Sequence, residues 1–238
     1  MTTKVFQYLW LSYIGIYMWF WGVLFVLAIG GWTLQASDWA DWLLQEMNET
    51  GNWTYGIWAH LEQSPKVFLF VTGILFSVMV MPSLLIYGIS RRTCFHAALR
   101  KCITVSALFV IIVLSAHMLE WGVARWLNQV YTFRFSTQEV WVHPAYNGVK
   151  MYFDMILSFV SGWFIGLAFY HKGWIRGIGL TIFGIAPVIV IGIIAQSEHA
   201  YATYGTVLVS IGLLGIYALS LGLLLVWTRR FISRVAIR

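Results

Sequence analysis

An all-α integral membrane fold with six transmembrane helices is what this sequence predicts. Three observations predict it. Hydrophobic residues make up 60% of the chain and charged ones only 10%, against roughly 25% charged residues in a soluble domain. Apolar runs of spanning length recur six times, and the basic residues gather at alternate turns between them. A helix needs roughly 20 mostly apolar residues to cross a hydrocarbon core of about 30 Å, which places spans at about 8–34, 67–89, 102–127, 149–170, 175–196 and 204–228. These consume most of the 238 residues, so the chain reads as a single transmembrane domain, 1–238.

The first span has only Lys4 ahead of it. It is too long for a signal-peptide core of about 7–15 residues and no A-x-A cleavage site follows, so it reads as a retained anchor. The segment from Gln35 to Lys66 is the longest loop. Within it Ser37 can cap a short helix whose Trp39, Trp42 and Leu43 recur at helical spacing. Such a helix would lie on the outer membrane surface, a placement that the fourteen tryptophans favour, because indole rings prefer the headgroup level. In the second span Pro82 removes a backbone donor and presses on the carbonyl of Val78, which predicts a kink. Gly88 can then end that span and Ser90 cap a new helix, giving a short segment at about 90–101 on the cytoplasmic face ahead of the third span. Cys94 and Cys102 would lie roughly 12 Å apart on one helix, beyond disulfide reach. In the fourth span Ser158, Gly162 and Gly166 recur every fourth residue, a small-residue stripe that lets a neighbour approach closely. The fifth and sixth spans are joined by a short loop.

Orientation follows from the cations, since Lys and Arg accumulate in short cytoplasmic loops. With the N-terminus inside, the inner segments hold Lys4, then Arg91, Arg92, Arg100 and Lys101, then Lys172 and Arg176, and finally Arg229, Arg230, Arg234 and Arg238. The opposite side, with the outer ends of the spans, holds all nine acids: Asp38, Asp41, Glu46, Glu49, Glu62, Glu120, Glu139, Asp154 and Glu198. Both termini are therefore expected inside. The net charge of +6 is accounted for by topology and by anionic inner-leaflet lipid, without a nucleic-acid partner.

The sequence holds no GxxxxGK[ST] phosphate loop and no GxSxG, HExxH or CxxC motif, so no nucleotide hydrolysis and no catalytic set can be assigned to it. His117 and Glu120 stand three apart and can share a helix face. Two candidate ligands without a defined partner pair do not make a metal site, and they read as a polar pair near the outer surface. Glu120 lies about 27 Å along a helix from Cys102, and Asp154 only about 7 Å into one from Val149. Both then sit near the outer boundary, where Arg125, Arg134 and Lys150 can neutralise them. They either anchor the helix ends or, with His117, line an outward-facing cavity. An intramembrane enzyme using His117, Glu120 and Asp154 is the alternative reading, and a non-transporting scaffold or sensor is another.

The stretch "YGISRRTCFHAAL", just after a Pro-bearing second span, resembles the bacterial ABC-type-2 exporter permeases, the membrane subunits of ATP-binding-cassette exporters. The resemblance implies a multi-pass protein of the bacterial cytoplasmic membrane that is itself no enzyme. It would pair with a second permease subunit, identical or paralogous, and with two ATPase subunits that bind ATP and Mg; no cofactor is implied in this chain. It also implies that the segment between the second and third spans is a coupling helix docking in a groove of the ATPase, with Ser90, Arg91, Arg92, Thr93 and Phe95 as its contacts. Amphipathic, lipid-like or peptide cargo is the expectation at family level.

Overall fold

Apolar runs of this length leave the backbone no water to bond, so each satisfies its own amides by coiling into a helix. The fold is given by a computed structural model that describes residues 2–35, 57–126, 144–172, 174–195 and 206–234. Among them every regular element is helical: α1 (Thr2–Gln35), α2 in three parts (Ile57–Leu75, a π-helical turn Phe76–Val80, and Met81–Ile86), α3 (Arg91–Trp126), α4 (Pro144–Lys172), α5 (Trp174–Ala195) and α6 (Thr206–Arg234). Among the described residues five stretches are long and apolar enough to cross a membrane: Gln7–Val26, Gln63–Ile86, Arg91–Ala116, Gly148–Tyr170 and Ile211–Ser233. Gly177–Ile193 in α5 is apolar over a shorter length. The Trp39–Leu43 surface helix and the loop between the fifth and sixth spans lie outside the described residues.

The most deeply buried helix is α4, which touches α2, α3, α5 and α6 and contributes Met155, Phe159, Trp163 and Phe164 to the core. Its contact with α2 is backbone on backbone. A methyl group placed on Gly162 would overlap the carbonyl of Phe70, and one on Gly73 of α2 would overlap that of Phe159. Gly166 faces Ser77 and the carbonyl of Ile74 in the same way. The small-residue stripe thus does what its spacing predicts, with one substitution in membership: Ser158 turns its hydroxyl back to the carbonyl of Asp154, and Gly73 completes the seam from the other side. Ser77 closes it, its Oγ 2.8 Å from the carbonyl of Trp163 and 3.0 Å from that of Gly73.

These contacts fix the helix directions. Along α2 and α4 the paired residues rise together, Lys66 with Asp154 and Ser77 with Gly166, so the two run parallel. Likewise Phe153 meets Tyr217 and Phe164 meets Phe231, making α6 parallel to α4. Tyr13 meets Lys101 and Trp21 meets Phe109, making α1 parallel to α3. By contrast α5 opposes α4, because Gly177 packs on Phe169 and Gly184 on Ile165.

Two expectations are refined. Where a kink is expected at Pro82 the helix has a π turn just ahead of it: the Met81 N–H bonds the carbonyl of Phe76, and Pro82 falls in the first turn of the helix that resumes, where its missing N–H costs least. The expected short helix over 90–101 is not separate. No Pro or Gly stands between Arg91 and Trp121, so the segment is continuous with the third span in one helix of 36 residues, about 54 Å long.

Candidate functional site

Two clusters of polar groups lie at opposite ends of the bundle. The first centres on Asp154, whose carboxylate accepts from the Lys66 ammonium at 3.1 Å and from the Tyr217 hydroxyl. Each of the three side chains comes from a different member of the parallel set α2, α4 and α6. The Tyr217 ring is fully buried and stacked on Phe153 with centroids 5.9 Å apart, which fixes its hydroxyl on the carboxylate. Lys66 and Asp154 keep 16% and 17% of their side-chain surface exposed, so most of both charges is enclosed by protein. Opposite charges cancel while the phenol occupies the second carboxylate oxygen, leaving a neutral knot rather than a lone acid.

Sequence reasoning placed Asp154 at a helix end but did not find its partner. Among the described contacts Lys150 makes no ion pair with Asp154, and the side chains of Arg125 and Arg134 lie outside the described residues. His117 and Glu120 belong to α3, three residues apart on one continuous helix, and their side chains also lie outside the described set. Among the described residues no three His, Cys, Asp or Glu side chains converge.

The second cluster is the α2–α3 corner. Gly88, at φ +77°, ends α2 with paired bonds, its own N–H to the carbonyl of Leu85 and that of Ile89 to Leu84. This is the glycine-terminated helix stop expected from its position. Ser90 then caps α3, its Oγ accepting from the Thr93 N–H at 3.2 Å and donating to the Thr93 hydroxyl at 2.8 Å. Both caps were legible because they depend only on residues a few positions apart.

The five residues singled out for docking divide. Ser90 and Arg92 are exposed, and Thr93 is half-buried. Arg91 reaches across to the carbonyl of Ser233 near the end of α6, 2.9 Å away. Phe95 faces inward: it is 9% exposed and lies against Trp163, centroids 5.4 Å apart. The large side chains that the corner does present are Ile86 and Tyr87, 70% and 80% exposed. The helix that carries Phe95 continues into the core, and its register there turns residue 95 to the inside. Cys94 and Cys102 are free thiols, both buried.

No family model matches this chain, and no curated protein or solved structure matches it significantly. The clusters therefore stand on their own chemistry.

Proposed function

We propose that the chain is the membrane-embedded permease subunit of an ATP-driven exporter, with six spans, both ends inside and its ATPase on a separate chain. The observation that carries this reading is the rigid α2–α3 corner. Caps on both sides hold it, it presents Tyr87, Ser90 and Arg92 outward, and it opens a helix that runs the length of the bundle. Force applied at such a corner is transmitted along α3 without an intervening hinge. ATP binding by the partner subunits would draw two such corners together and move the membrane dimer between inward- and outward-facing states, with amphipathic cargo passing between the permeases in a bacterial cytoplasmic membrane.

The docking anchor in this reading moves from Phe95 to Tyr87, an aromatic with a rim of positive charge, the composition that interface hot spots favour. Tyr87→Ala and Arg92→Glu should each weaken co-purification of the ATPase, the aromatic by about 2 kcal/mol or roughly thirtyfold in affinity, in protein inserted at normal yield. Phe95→Ala should instead lower thermal stability. Undiminished recovery of an ATPase with both corner variants would remove the docking role.

A further inference from the structure

We propose that Lys101 is the anion-binding residue of a site at the seam of α1 and α3 that takes the phosphate headgroup of an anionic phospholipid. The side chain is fully buried, and among the described residues its ammonium has no hydrogen-bond partner. It lies over the Tyr13 ring, 3.1 Å from the centroid, with the Tyr17 ring at 5.7 Å. Aromatic faces steady a cation electrostatically, yet they give its three N–H donors no acceptor. A buried ammonium is ordinarily paired with an anion. Neither 1–35 nor 63–119, which include α1, most of α2 and the first 29 residues of α3, contains an Asp or Glu; of the other helices packed on α3, α6 holds none and the one acid of α4, Asp154, is taken by Lys66 and Tyr217. The geometry points to a counter-ion from outside the described helices.

Surroundings identify its carrier. Arg100, the next residue, is exposed, so a second cation stands on the same turn of α3. On the same two helices Leu11, Ile14, Ile103 and Leu108 are exposed apolar side chains, suited to acyl chains and not to a free ion. A four-carbon stem lets the ammonium swing from beneath Tyr13 toward the headgroup level when an acceptor is offered. The site is independent of any ATPase contact at the α2–α3 corner.

Native mass spectrometry of the purified full chain, offered phosphatidylglycerol or phosphatidylcholine of matched chain length, tests this. One cation near a membrane surface should favour the anionic lipid by about fivefold. Wild type, Lys101→Arg and the exposed-arginine control Arg230→Gln should keep that preference, and Lys101→Met should reduce it to near parity. Preference retained in Lys101→Met overturns the assignment. A second measurement needs no variant: reductive methylation of Lys101 in wild type, read by peptide mass, should be slowed by phosphatidylglycerol and not by phosphatidylcholine. Equal labelling with both lipids overturns the site, and protection by inorganic phosphate alone, as strong as that by the lipid, overturns the choice of a lipid headgroup.

Discussion

At Asp154 one carboxylate joins three helices, and the value of that contact is asymmetric. Asp154→Ala takes the carboxylate from the largely enclosed Lys66 ammonium and from the Tyr217 hydroxyl and should cost about 3–5 kcal/mol, whereas replacing Lys66 and Asp154 together by Met and Leu should cost much less, because both charges leave together. Tyr217→Phe removes a single bond to a charged group and should cost about 1.5–3 kcal/mol. Thermal unfolding of the purified variants, taken as a double-mutant cycle, gives all three values; an Asp154→Ala loss under about 1 kcal/mol would make the pair an ordinary surface contact. Sequence alone put Asp154 near a helix end, since position along a helix is a local property. Its partner was not legible, because Lys66 stands 88 residues earlier and meets it only if α2 and α4 are chosen as neighbours and run parallel. Lys101 was grouped with the exposed arginines for the same reason: a basic run gives charge, but not which member turns inward.

Element by element, the glycines divide into those that a neighbour requires and those that it does not. Gly162→Ala and Gly73→Ala each push a methyl into backbone of the facing helix, where nothing flexible can yield, and should destabilise by more than the 1–3 kcal/mol typical of overpacking. Gly212 and Gly215 of α6 face open space, so alanine there should be neutral, or should stabilise by up to about 1 kcal/mol through helix propensity. At Gly88 alanine meets no neighbour but must adopt the positive φ, at about 1–2 kcal/mol. Melting temperatures of the five variants rank these cases, and a Gly162→Ala protein as stable as Gly212→Ala would refute the close seam. Such features were readable in sequence wherever the determinant is local: the four-residue stripe, the Gly88 stop and the Ser90 cap. The continuity of α3 was not, since Ser90 and four cations within twelve residues suggested a surface helix, and only the absence of any Pro or Gly between Ser90 and Gly122 decides against a second boundary.

For the molecule as a whole, the helix directions and the distribution of charge point the same way. Lys4, Arg92, Arg229 and Arg230 are exposed on the ends of α1, α3 and α6 that the parallel pairs bring to one side, whereas the Lys66–Asp154 knot lies toward the other. Single cysteines at Arg92 and Arg229 in a cysteine-free background should therefore resist an impermeant thiol reagent applied outside intact cells, and one at Gln63 should react. Labelling at Arg92 from outside would reverse the orientation and remove the proposed ATPase contact with it. The bond from Arg91 to the carbonyl of Ser233 carries a further consequence. It ties the last turn of α6 to the corner opening α3, and with α1 parallel to α3 the first turn of α1 and the last turn of α6 lie on a shared face. Two halves of a split fluorescent reporter, one fused at each end, should reassemble within a single compartment, and an enzyme domain joined to either end would work beside whatever is joined to the other.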